Sequence, residues 1–247
     1  MMNYKVFATP QDVVISLAET MQAMSLQSQA VHISLSGGST PKLLFKALAQ
    51  APFADSIEWN NLHFWWGDER CVAPTDAESN FGEANELLFK HISIPAENIH
   101  RIRGEAEAEA EADVEVECAR FAAEMDAVIP HKNGLPAFDW ILLGMGGDGH
   151  TASLFPNQTN FDDPALAVIA TQPQSGQQRI SKTARLLENA DRITYLVLGE
   201  SKAEVLQQIN STPAEELVYP AAKIKASHGE TEWYLDAAAA KLLAQGE

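Results

Sequence analysis

Cysteine is scarce in this chain, and the little there is carries no pattern. Only Cys71 and Cys118 occur, in neither metal-ligand nor CxxC spacing, so no zinc site and no disulfide framework is expected. Both read as reduced thiols of a cytoplasmic protein. Basic residues are also short: 17 Lys and Arg stand against 34 Asp and Glu, for a net charge of −17. That balance argues against general nucleic-acid binding and against docking on an anionic membrane. No apolar run is long enough to span a bilayer. The opening "MMNYKVFATPQDV" lacks the basic and apolar regions of a signal peptide. No exposed apolar stripe asks for a partner subunit, so a monomer is expected.

What is present is an ordinary globular composition, 46% apolar and 21% charged over 247 residues, enough for a substantial core. Part of the acidity is local. Residues 105–117, "EAEAEAEADVEVE", hold only acidic charges; with no apolar face, this stretch is expected to be a solvated helix or loop.

One grammar repeats along the chain: an apolar strand, a polar turn, then a helical pattern. It occurs in "AVHISLSGGSTPKLLFKALAQ", in "LHFWWGDER" with a helix over 80–91, in "FDWILLGMGGDGH" and in "ITYLVLGESKAEVLQQI". Ser201 is expected to cap the helix of the last. "EWYLDAAAAKLLAQ" makes a fifth unit with Asp236 as cap. Alternation of this kind predicts an α/β fold: one domain over residues 1–247, with a doubly wound, mainly parallel, Rossmann-like sheet and helices on both faces. Ligands of such sheets sit beyond the strands' carboxyl ends, where strand order reverses. Four of the polar turns fall at those ends.

In "SGGSTP", residues 36–41, Gly37 and Gly38 allow a sharp turn, and Ser39 or Thr40 can cap the helix that Pro41 helps to start. Free N–H groups and the helix dipole favour an anion there. Neither a Walker loop nor GxGxxG is present, so a sugar phosphate fits better than a nucleotide. In "GMGGDGHTASLFP", residues 144–156, four glycines surround Asp148 and His150. A neutral imidazole oriented by a carboxylate can take a proton from water. The other histidines (His32, His63, His91, His100, His131 and His228) sit in no motif and read as packing or surface residues. "WGDER" places Asp68, Glu69 and Arg70 at another strand end, where an arginine can meet a phosphate or an oxyanion. Arg179, Lys182 and Lys202 are further cations that could reach an anion.

Together, "SLSGGSTPKLLF", "WGDERCVAPTDAESNFGEANELL", "ILLGMGGDGHTASLFP" and "RIS" resemble the glucosamine-6-phosphate isomerase/6-phosphogluconolactonase family, over residues 31 to 205. The resemblance implies a single α/β domain that hydrolyses 6-phospho-D-glucono-1,5-lactone to 6-phosphogluconate in the pentose phosphate pathway, with no cofactor and no metal. By the same resemblance, His150 is the base that activates water and Asp148 supports it. Arg70 meets the phosphate or the carbonyl oxygen. Gly38, Ser39 and Thr40 cradle the phosphate, with Asp68, Gly147, Arg179 and Lys202 as further contacts. Ser79 and Asn80 are expected to cap a helix rather than touch the sugar. The family's isomerase–deaminase branch reads with a glutamate before the closing proline, where this chain has Phe155, and with tyrosine in place of Arg70. A non-catalytic sugar-phosphate sensor would keep the cradle but would not need His150 or Arg70.

Overall fold

The computed structural model describes residues 2–107 and 114–243. Its strands are β1 (Tyr4–Phe7), β2 (Val31–Leu35), β3 (Leu62–Trp66), β4 (Asp68–Arg70), β5 (Ile99–His100), β6 (His131–Lys132), β7 (Leu135–Pro136), β8 (Trp140–Leu143), β9 (Ala167–Thr171), β10 (Gln178–Lys182), β11 (Arg192–Val197) and β12 (Glu230–Asp236). The helices are α1 (Pro10–Ser25), α2 (Ser39–Leu48), α3 (Phe53–Ser56), α4 (Asn80–Leu87), α5 (Val114–Val128), α6 (Ala184–Glu188), α7 (Ala203–Ser211) and α8 (Pro220–Lys223).

Seven strands form one sheet in the order β1-β12-β11-β8-β2-β3-β5, and every neighbouring pair is parallel. Its central strands can be apolar at successive positions because both faces are covered; β2 and β8 are buried at every residue. Two consecutive tryptophans mark the two layers. Trp65 meets Phe121 of α5, with ring centroids 6.1 Å apart, and Trp66 meets Phe81 of α4 at 5.5 Å. The two-residue period of a strand sends them to opposite faces. Sequence chemistry sets the helix starts as well. Thr9 and Asp12 form a reciprocal capping box ahead of α1, with Pro10 in its first turn.

From β2 the chain builds outward through β3 and β5. From β8 it builds the other way through β11 and β12. The reversal between β8 and β2 is the switch point, where the loops leaving neighbouring strands diverge and open a crevice.

Some expectations change. "GDER" is not a plain turn: Asp68–Arg70 form β4, the edge of a second, antiparallel sheet of order β4-β10-β9. α7 starts at Ala203 without a side-chain cap, so Ser201 does not cap it and lies in a 3-10 turn instead. After β12 the described residues 237–243 form turns, not a helix. Asp236 still accepts a bond from the Ala239 N–H, and a second from the Gly199 N–H ties that turn to the end of β11. The acidic run is solvated only in part. Glu105 pairs with Arg101, and Glu117 is buried, accepting the Arg103 N–H at 2.7 Å and pairing with Arg120; residues 108–113 lie outside the described residues. Cys71 and Cys118 form no disulfide, and burial pushes the Cys118 thiol up to about 11.

Candidate active site

Four segments leave the carboxyl ends of β2, β3, β8 and β11 and line one cleft of about 260 Å³. Each is shaped by a local requirement. After β2 the backbone turns through Gly38 at φ +112°, a region that side chains rarely adopt. Gly37 is needed for packing: a Cβ there would lie 1.9 Å from Asn80 Oδ1. α2 begins at Ser39 with Gly38 as its N-cap and no side-chain cap bond. Ser39 and Thr40 therefore stand inside the first turn rather than capping it. That leaves the helix's leading N–H groups without a side-chain acceptor at residues that line the cleft, the arrangement that favours an anion.

The glycines after β8 are explained by His150. Gly146 must lack a side chain because a Cβ would sit 2.1 Å from the imidazole Nδ1. Gly149 has φ +78°, and a Cβ on it would strike the Tyr219 ring at 2.4 Å. The Gly149 N–H closes a turn onto the Gly146 carbonyl, which puts Gly147 and Asp148 at its tip. Asp148 Oδ1 accepts the His150 backbone N–H at 3.1 Å and meets Nδ1 of the ring at 2.5 Å. Burial raises the Asp148 carboxyl, but those two bonds outweigh it and hold the group below its usual range. With Nδ1 engaged, Nε2 has no protein partner among the described residues and is left for the cleft. Phe155 packs against the ring at 5.0 Å.

Arg70 and Arg179 come from different segments and sit opposite one another across the β4–β10 register. Like charges placed this way destabilise a sheet. Arg70 Nη1 is held by the Glu78 carbonyl at 2.7 Å, while its Nε is buried with no hydrogen-bond partner. Arg179 makes a long bond to Gln177 at 3.3 Å and lies over Phe155. Burial lowers the Arg179 guanidinium from its ordinary value; Asp68 opposes that shift and Arg70 adds to it. Such a pair is relieved by an anion between its members.

Of the residues singled out in the sequence, Gly38, Ser39, Thr40, Asp68, Arg70, His150, Arg179 and Lys202 line the cleft. Gly147 does not line it, because the turn presents that residue outward to solvent. Asp148 also stays off the lining; its side chain is bonded to His150. Lys182 is fully buried. Its ammonium-bearing end bonds Ser34 Oγ and the Trp66 carbonyl under the sheet ends, and burial pushes it well below the usual lysine range. Ser79 caps α4 as expected. Asn80 does not cap it: as the first residue of α4 it lines the cleft, and its amide donates to the Asp68 carbonyl at 3.0 Å. Ser153 was not singled out by the sequence, although it lies within the quoted glycine-rich stretch; it donates to Asp68 Oδ2 at 2.6 Å. Glu69 points away from the cleft and accepts the Arg70, Asn80 and Phe81 N–H groups, which anchors β4 to α4.

Fold and site together describe a doubly wound α/β protein with a polar cleft at the strand carboxyl ends. The chain belongs to the family described as glucosamine-6-phosphate isomerases/6-phosphogluconolactonase, whose family model matches residues 8–233. It is 64% identical over 242 residues to the 6-phosphogluconolactonase of Haemophilus influenzae, covering 98% of this chain and 100% of that one. The crystal structure of the devB protein is 61% identical and superposes with a TM-score of 0.94, covering 99% of this chain and 100% of that chain. The 6-phosphogluconolactonase of Trypanosoma brucei is 27% identical, with a TM-score of 0.86 and 99% of each chain covered.

Proposed function

We propose that this chain hydrolyses 6-phospho-D-glucono-1,5-lactone to 6-phospho-D-gluconate, in the oxidative branch of the pentose phosphate pathway, with His150 as general base. The observation that carries this reading is one cleft holding three parts: an uncapped helix start, a like-charged arginine pair, and an imidazole whose Nδ1 is fixed by a carboxylate. The phosphate binds the first turn of α2. Water gives its proton to His150 Nε2 as it attacks the lactone carbonyl, and negative charge gathers on the carbonyl oxygen. When the tetrahedral intermediate collapses, the ring C–O bond breaks and His150 returns the proton to the departing C5 oxygen. General-base help is worth roughly 10²–10⁴ in rate. The isomerase–deaminase reading is disfavoured by Phe155, a ring packed on His150 where that chemistry places a carboxylate.

The test is acid release from lactone made in situ by glucose-6-phosphate dehydrogenase, read against the spontaneous rate. Wild type accelerates hydrolysis. Arg179→Gln raises KM roughly 10–100-fold, the worth of a charge-assisted bond. Arg70→Gln raises KM if Arg70 holds the phosphate and lowers kcat if it holds the oxyanion. Arginine variants with unchanged KM and kcat would contradict the assignment, and a wild type with no acceleration would contradict the reaction.

A further inference from the structure

Among the described residues, Lys182 is the only buried lysine, at 0% exposure, and the reaction above gives it no task. Its walls are apolar: the amine lies 4.5 Å from the Phe138 ring centroid and 5.5 Å from that of Phe121. No carboxylate among the described residues pairs with it. A methionine would fill such a place without the desolvation that an amine suffers. A costly residue at a core position marks a task other than packing.

The task is visible in what Lys182 holds. Its Nζ donates to Ser34 Oγ at 2.9 Å, near the carboxyl end of β2, and to the carbonyl of Trp66, the last residue of β3. Its backbone N–H donates to the Gly67 carbonyl at 2.8 Å, and the Gly67 N–H donates to the Leu35 carbonyl at 2.9 Å. Gly67 is the single residue between β3 and β4, where the chain leaves the parallel sheet for the antiparallel one. Side chain and backbone of one residue therefore grip this junction and tie it to β2. The chain leaving the clamp supplies Ser39 and Thr40 to the cleft on the β2 side and Arg70 on the β3 side. His150 comes from the turn after β8, which none of these bonds reaches. We propose that Lys182 is a positioning residue, a buried clamp on the carboxyl ends of β2 and β3 that holds the two halves of the phosphate seat at a fixed spacing. The proposal rests on the lactonase reading and deepens it, because a seat fixed before the substrate arrives binds without the cost of ordering it.

The experiment measures KM and kcat for 6-phosphogluconolactone, corrected for spontaneous hydrolysis, on wild type, Lys182→Met, Ser34→Ala and the double variant. Lys182→Met keeps the volume and removes the donors. It is expected to raise KM ~10-fold or more, since an ångström of misplacement can cost ~10²-fold, while kcat stays near wild type. Ser34→Ala raises KM in the same sense, and the double variant adds little to Lys182→Met alone, because both changes break one clamp. An unchanged KM in Lys182→Met overturns the proposal. So does a fall in kcat with KM unmoved, the mark of general loosening. A Ser34→Ala variant with wild-type KM overturns it too, as do fully additive effects in the double variant. If Lys182→Met does not fold by circular dichroism, Ser34→Ala carries the same criterion. Absence of turnover in wild type would instead sink the lactonase reading. Titration of inorganic phosphate into wild type and Lys182→Met then decides the clamp: weaker binding by the variant supports it, and equal binding overturns it.

Discussion

His150 meets Asp148 at 2.5 Å and His100 meets Glu124 at 2.7 Å; the two pairs share their chemistry and differ in their surroundings. His100 is buried and stacks on Trp65 with centroids 3.9 Å apart. Its second nitrogen is taken by His63 at 3.0 Å, and Glu124 is shared with Arg120. His150 is part-exposed, its second nitrogen has no described protein partner, and it faces a cleft. A histidine–carboxylate pair is a structural strut when both ring nitrogens are used. It becomes a base when one is left over and water can reach it.

The comparison breaks most visibly through the turn that aims His150. Gly149→Ala is expected to lower kcat by ~10²-fold, the cost of an ångström-scale misplacement of a reacting group. The strained backbone should also cost about 1–3 kcal/mol of stability. Adding Tyr219→Gly removes every Tyr219 atom of the clash, including the Cβ at 2.6 Å that alanine would keep, but not the φ of +78°, so assays and melts of both variants should show only partial recovery.

The buried histidines give a pH signature. Burial, with His63 and His100 adding, lowers His32 to about 4 from 6.5. Between those values the unfolded chain binds more protons than the folded one, so stability is full above pH 6.5, declines as pH falls toward 4, and levels off below. The group's share of that loss is about 3 kcal/mol. Urea titrations at pH 7.5, 5.5 and 4.5 check it; His32→Asn should flatten the slope, and an unchanged slope would contradict the account.

His100→Ala should cost about 1–3 kcal/mol through the bonds left unmade around it while kcat stays near wild type, as urea midpoints and lactone assays would show. The smallest effect belongs to a solvent-exposed pair, Lys90 and Glu86. Glu86→Ala should change stability by less than ~0.5 kcal/mol and leave the rate alone.

The strand-end turns were legible because each is local: an apolar run, then glycines or a cap, read directly from neighbouring residues. The helices of α2 and α4 and the parallel sheet followed from the same grammar. Pairing across distance was not legible. Arg70 and Arg179 are brought together by the β4–β10 register, which no nearby residue announces. Ser153 carries no signal of its own in the sequence, and only the fold brings it to Asp68. Lys182 misled because lysines are almost never fully buried. Ser201 and Asp236 had the right chemistry for caps, but the chain around them settled into a 3-10 turn and a run of turns.

The most direct test of the account is lactone hydrolysis by His150→Ala beside His100→Ala, with acid release followed against the spontaneous rate and folding checked by melting. The account predicts that His150→Ala loses ~10²-fold or more in kcat and melts like wild type, while His100→Ala keeps its rate and melts lower. Full activity in a folded His150→Ala variant would contradict it and move the base elsewhere in the cleft.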